Sequence, residues 1–330
     1  MSIKETEEIN LKNRLKSIVL RAIRARTFIV IILIIITSII IKTYDNNFLN
    51  MKSIESLGLS VAIEVPVVIG IATLLISGGF DLSVGSVSAL AMVVTGYCII
   101  KNLSIPLAMI LGLMSGLGIG FINGIIISKL KINALIVTLG TMAIARGIPL
   151  ILTEGRVIVG FPKTFSFLGS GKILGLTFPI ILAFIILIIS EIFLRRIRVF
   201  RQIYYVGGNE NSAIYAGINV NRIKLSVYMV SGLFAALNGL MMASRLMSST
   251  PSIGQNLSLN VIAAAIIGGC TLTGGEGSLI GAVLGLIFMH LIKSGMVFMR
   301  VSVYWQGIVI GCILIFAVAL DALTKSKRNN

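Results

Sequence analysis

About ten apolar stretches, most of them near twenty residues long, follow one another through this chain and leave little between them after residue 26. That succession decides the fold class. A hydrocarbon core about 30 Å thick is crossed by roughly 20 apolar residues in a helix, and only a helix or a closed barrel satisfies its own backbone where no water reaches. With 56% hydrophobic and 12% charged residues and a mean hydropathy of +1.02, the chain carries more apolar surface than one soluble core can hide. We expect an all-α polytopic membrane protein of about ten transmembrane helices, some short or broken.

The expected spans lie near 27–41, 57–76, 84–100, 105–128, 132–152, 173–194 and 224–246. A short or broken eighth then ends near Leu272, and two more follow near 278–298 and 303–323. Seven of the 28 Lys and Arg fall in residues 1–26, two at Lys129 and Lys131, six in 195–224 and three in 321–330. Basic residues collect on the cytoplasmic side, so the net charge of +16 is an orientation signal rather than a nucleic-acid footprint. An even number of spans puts both termini inside. The chain divides into a basic cytoplasmic tail at 1–26, a transmembrane domain at 27–323 and a second basic tail at 324–330, all against membrane lipid.

Chemistry is absent where an enzyme would show it. The chain has one histidine, no paired metal-ligand spacing, no Gly-x-Ser-x-Gly and no acidic cluster. Gly169-Ser-Gly-Lys172 is not a phosphate loop, because position 166 is Ser and position 173 is Ile. Cys98, Cys270 and Cys312 sit in or beside apolar runs and read as buried thiols.

Polar residues inside apolar runs are the informative exceptions, because an intramembrane charge must face protein or water. Glu64 and Arg146 lie at similar depths from one side and are expected to pair or to line a polar pathway jointly. Asp81 is placed to cap a helix beginning near Leu82, after the break at Gly78-Gly79. Asn123 and Asn238 can hydrogen-bond across helix contacts. His290 shares a face with Lys293, either as a satisfied interior histidine or as a residue lining a solute path. Gly112, Gly116, Gly120 and Gly124 make one side of a helix bare of side chains, and Gly277, Gly281 and Gly285 repeat the pattern; both are packing faces.

The longest polar interval runs from Arg201 to Arg222, within a loop at 195–223. Asn209 is a good N-cap, Glu210 suits the positive end of a helix dipole, and Gly217 supplies a left-handed stop. These define a helix over Glu210–Ala216, too short to be stable alone, whose Ala213, Ile214 and Ala216 are expected to dock into a partner.

Four segments together resemble a known family. Gly207 to Ile218 (Gly-Gly-Asn-Glu-x-Ser-Ala-x-x-x-Gly-Ile), Gly78 to Ser86 (Gly-Gly-x-Asp-Leu-Ser-Val-Gly-Ser), Asn133 to Gly147 and Asn260 to Gly285 are similar to motifs of ribose-type permease subunits of ABC sugar importers. The family often has proline or phenylalanine where this chain has Ala134 and Leu135. The resemblance implies a monosaccharide permease of the bacterial cytoplasmic membrane, with Asn209, Glu210, Ala213, Ile214 and Gly217 coupling it to an ATP-binding subunit. It also implies a second permease subunit, an extracytoplasmic substrate-binding protein, and ATP and Mg held by the partner rather than by this chain. From the residues alone, an ion-coupled secondary transporter is the alternative, for which Glu64 and Asp81 offer few coupling groups.

Overall fold

Helix α2, Met51–Ile76, is the axis of the assembly: from Val61 to Ile76 every residue but Glu64 is buried. The computed structural model describes residues 26–302 and 304–329. The basic tail expected at 1–26 lies essentially outside the described residues, as do the side chains of the tail at 324–330.

Among the described residues seven helices are long and apolar enough to cross a membrane: α1 (Arg26–Tyr44), α2, α4 (Ile105–Lys129), α5 (Ala134–Thr153), α7 (Phe178–Arg196), α10 (Val220–Leu246) and α12 (Leu279–Phe298). Shorter apolar helices are α3 (Val84–Ile100), α11 (Leu257–Ile267) and the Tyr304–Ala319 part of α13 (Tyr304–Asn329). The protein is an all-α polytopic membrane protein. Its outside is apolar, the reverse of a soluble chain: α1 exposes Ile29, Ile35 and Ile39, and α7 exposes Phe184, Ile185 and Ile189.

Around α2 stand α10, α12, α7 and α11, and α10 in turn packs along α3 and most closely along α4. The closeness of that last pair follows from bare backbone. A Cβ on Gly116 would reach the Gly232 carbonyl, one on Gly120 would lie 3.0 Å from the Met229 Cα, and one on Gly124 would lie 3.0 Å from the Leu225 Cα. Without a lipid-excluding driving force between helices, this approach is what holds them, through dispersion contacts and crossing hydrogen bonds.

Several boundaries differ from those read in the sequence. Helix α2 starts at Met51, six residues early, because Asp45 accepts from the Asn47 N–H and starts a short 3-10 turn, Asn46–Leu49, that leads straight into it. Helix α7 starts at Phe178, because Lys172–Ile173 and Leu176–Thr177 pair as a small hairpin, β1 and β2. Helix α11 stops at Ile267, five residues before Leu272, where Gly268 caps it and Gly269 turns to φ 102°. At 11 residues it spans only roughly 16 Å, so it is the short eighth segment. Of the three cysteines only Cys270 is buried; Cys98 is half-buried and Cys312 is exposed on the apolar surface of α13.

Two more helices were hidden, one in each of the two long polar loops. Beside the two-turn α9 (Glu210–Tyr215) lies α8, Arg198–Gly208, which buries Ile203 and Val206 and exposes Arg198, Arg201 and Tyr205. A four-residue turn of helix, α6 (Phe167–Ser170), sits in the long loop at 154–177.

Candidate functional site

On one face of the molecule three distant segments meet backbone to backbone. They are the turn at 77–83 that follows α2, the end of α8 at Gly207-Gly208, and the loop at 268–278 between α11 and α12. Gly275 N–H donates to the Ile76 carbonyl at 2.8 Å. A Cβ on Gly207 would overlap that same carbonyl oxygen and lie 2.6 Å from Gly275 N, and one on Gly274 would come within 2.8 Å of the Gly78 backbone. The Tyr204 hydroxyl adds a bond to the Gly277 carbonyl at 3.2 Å. Burial, with the Glu191 carboxylate nearby, holds that phenol above its ordinary pKa, so it stays a donor.

The turn at 77–83 is also clasped from the other side. Asp81 Oδ1 accepts from the Ser83 N–H at 2.8 Å and the Ser83 hydroxyl at 2.6 Å, and Oδ2 accepts from Ser231 on α10 at 3.2 Å. Asn123 on α4 donates to the Ser83 hydroxyl at 3.2 Å. Tyr228 accepts from the Phe80 N–H and donates to the Phe80 carbonyl. The helix itself begins at Val84, so Asp81 holds the approach to α3 rather than capping a start near Leu82.

Helix α9 is set directly beyond this junction. Asn209 Oδ1 accepts from the Ser212 N–H at 2.9 Å, and Glu210 pairs with Lys224 at 2.6 Å. Its end is a Schellman turn: Ile218 N–H donates to the Ala213 carbonyl, Gly217 N–H to the Ile214 carbonyl, and Gly217 sits at φ 77°. Ile214 is 53% and Tyr215 89% exposed, and Val199 and Tyr205 of the neighbouring α8 are exposed too.

Toward the opposite face lies a cavity of about 350 Å³ lined by Ser60, Glu64, Asn238, Arg245, Asn260 and His290 among others. Glu64 Oε2 and His290 Nε2 stand 3.1 Å apart, an ion-pair distance without the alignment of a hydrogen bond. Asn238 joins three helices, accepting from Ser88 on α3 at 2.7 Å and donating to the Ile63 carbonyl of α2 at 2.8 Å, in the turn disturbed by Pro66. Arg245 donates to Ser60 at 3.3 Å.

Comparison with known proteins sets this geometry in context. The family described as "Branched-chain amino acid transport system / permease component" matches residues 53–318. The chain belongs to this family. It is 35% identical to the ribose import permease protein of Bacillus subtilis (strain 168), over 88% of this chain and 89% of that one. It is 33% identical to the ribose import permease protein of Haemophilus influenzae (strain ATCC 51907 / DSM 11121 / KW20 / Rd), over 93% and 95%. It is 32% identical to the L-arabinose ABC transporter permease protein of Azospirillum brasilense, over 92% and 89%. No solved structure matches the chain. The protein is a permease subunit of the ribose-type ABC family, a transport component rather than an enzyme.

In this permease Glu64 and Arg146 do not pair. Equal depth put them together on paper, but they belong to helices that are not neighbours: Glu64 meets His290 of α12, whereas Arg146 of α5 donates to the Pro251 and Ile253 carbonyls at 3.0 and 2.7 Å. Arg146 therefore stands outside the cavity and holds the segment at 253–257 that roofs it. Arg146→Ala leaves two carbonyls without their charged donor, a loss of about 1.5–3 kcal/mol for each such bond. The expected result is a fall in the detergent melting temperature on the order of 5 °C, with Arg146→Lys intermediate.

Two further corrections concern named residues. Ala213 is buried at 3% exposure, because it lies on the side of α9 that faces the permease body, so it cannot enter a partner's groove; Ile214 is the residue of that pair that can. Gly277 precedes the helix, whose N-cap is Ser278; it packs on Ile76 and Cys270, while Gly281 and Gly285 lie against the backbone of α11. The sequence reading passed over Ser60, Arg245 and Asn260 as cavity residues. A signal existed: Ser53, Ser56, Ser60 and Glu64 recur at helical spacing along one side of α2.

Proposed function

We propose that this subunit carries a monosaccharide, ribose or a similar pentose, inward across the bacterial cytoplasmic membrane, driven by ATP hydrolysis in a partner. The observation that carries the reading is the exposed Ile214–Tyr215 end of α9, a capped two-turn peg fixed to the glycine junction and turned away from the body of the permease. It has the shape of a part that another protein pushes. The basic residues at 195–224 accompany it, which supports assigning this face to the cytoplasm, with ten passes and both termini inside. On that reading residues 27–323 are the transmembrane domain and 1–26 and 324–330 the cytoplasmic tails.

The ATP-binding subunit takes Ile214, Tyr215, Tyr205 and Val199 in a groove and holds ATP and Mg itself. A substrate-binding protein delivers sugar at the opposite face, and a second permease subunit completes the complex, surrounded by lipid and without nucleic acid. Relatives named for ribose, L-arabinose and D-allose support the substrate class and weigh against an ion-coupled carrier. Purifying the complex from membranes and identifying the ligand of its binding protein tests the reading. A bound pentose or hexose supports it, and a binding protein loaded with an amino acid overturns the sugar assignment.

A further inference from the structure

Two cavities share the residues Ser60 and His290, the deeper one of about 350 Å³ and a second of about 440 Å³ nearer the face opposite α9. The second is lined by Lys52, Ser53, Ser56, Lys293 and Ser294, so a polar seam runs between α2 and α12. Its floor is Glu64, 13 residues into α2 and roughly 20 Å from Met51 along the axis. Polar surface this deep in an apolar helix bundle is costly unless something occupies it.

The floor shows what is missing. Asn260 is only 6% exposed, and its Oδ1 has no hydrogen-bond partner among the described residues. Glu64 Oε2 and His290 Nε2 are likewise buried without an aligned bond. All three side chains line the same cavity, whose other charged group is Arg245. At this floor one carboxylate faces one guanidinium, while the lysines of the seam, Lys52 and Lys293, line the outer cavity; the deep end favours a neutral molecule rich in hydroxyls, each both donor and acceptor, which satisfies all three side chains. The volume lies at the lower end of the ~300–1,000 Å³ typical of small-molecule sites. Among the described residues no Phe, Tyr or Trp lines the deeper cavity, so no flat stacking surface holds a sugar ring. The site binds weakly, as a place of passage must if the solute is to leave again.

We propose that this seam is a transit site for a neutral polyol of monosaccharide size inside a single subunit, with Glu64, Asn260 and His290 as the groups that hydrogen-bond its hydroxyls. The proposal rests on the importer reading given above and assigns the path to named residues. Its test uses the complete importer in liposomes with ATP inside and sugar-loaded binding protein outside. Asn260→Ala and Glu64→Gln each lower the sugar moved per ATP hydrolysed by about tenfold, the effect of one hydrogen bond of about 1.4 kcal/mol. A ratio equal to that of the unaltered importer means the cavity holds only water, and overturns the proposal.

A second measurement acts after folding, so loss of assembly cannot imitate the effect. In a chain whose Cys98, Cys270 and Cys312 are replaced by alanine, Ser60→Cys is treated from outside with a bulky, membrane-impermeant methanethiosulfonate. The expected result is loss of uptake upon modification. Leu174→Cys, at the fully exposed hairpin tip, keeps its uptake under the same treatment. Modified Ser60→Cys that still transports at full rate overturns the seam. An importer with no mutation that moves no sugar with ATP defeats the importer reading instead, which separates the two failures.

Discussion

Gly207→Ala will stop ATP-driven uptake, whereas Gly208→Ala will leave it close to normal. The two glycines are adjacent and chemically identical, so propensity for helix cannot separate them. Position can. A Cβ on Gly207 would overlap the Ile76 carbonyl oxygen and lie 2.6 Å from Gly275 N, both of them backbone, while a Cβ on Gly208 would meet only the Gly275 Cα at 4.0 Å. Backbone cannot step aside as a side chain does, so the methyl must prise α8 off the junction and break the bond from Gly275 N–H to the Ile76 carbonyl. Overpacking of this kind costs about 1–3 kcal/mol in stability. Its larger effect is mechanical: the end of α8 is the covalent route from α7 into α9, and it is here that α8 touches the end of α2 and the loop after α11. The check is uptake in whole cells beside the melting temperature of the purified protein. Equal behaviour of the two variants would show that the junction transmits nothing.

Ile214→Glu and Ala213→Glu will both abolish uptake, but for different reasons that a pull-down distinguishes. Ile214 is exposed, so the glutamate is solvated in the free permease and the protein folds; on the proposed docking the charge is desolvated only when the ATP-binding subunit closes over it. Loss of an interface anchor of this kind costs about 2 kcal/mol or more, roughly 30-fold in affinity. Ala213 is buried against the permease, and a glutamate there carries an unpaired charge into apolar surroundings. The expected outcome is a folded Ile214→Glu permease that no longer retains its ATP-binding subunit, and an Ala213→Glu chain that fails to accumulate. An Ile214→Glu importer with normal retention would remove α9 from the interface.

The fold class was legible because the apolar stretches are long enough to have one interpretation, and the ends of α3, α4 and α12 fall within a residue or two of the expected positions. The capped α9 was legible for a local reason, since Asn209, Glu210 and Gly217 act within a single turn of their own positions. What the sequence concealed is everything that depends on which helices are neighbours. Glu64 finds His290, 226 positions away, rather than Arg146, and depth along a helix says nothing about direction around it. Both glycine breaks, after α2 and after α11, stand out in the sequence, yet nothing local says that they touch each other through Gly207. Helix α8 was missed because Arg198, Arg201 and the glycines disguise an apolar side formed by Phe200, Ile203, Tyr204 and Val206. Ala213 was placed on the wrong side of α9 because a two-turn helix with few apolar residues does not declare which of them faces home.

The claim on which the rest depends is that this permease moves its solute only when another subunit pushes α9. Purified permease is reconstituted in liposomes alone, and again with its ATP-binding subunit and binding protein, and accumulation of labelled sugar is followed with ATP or with an imposed proton or sodium gradient. The account predicts accumulation in the complete complex with ATP and none in any other combination. Gradient-driven accumulation by the permease alone would contradict it.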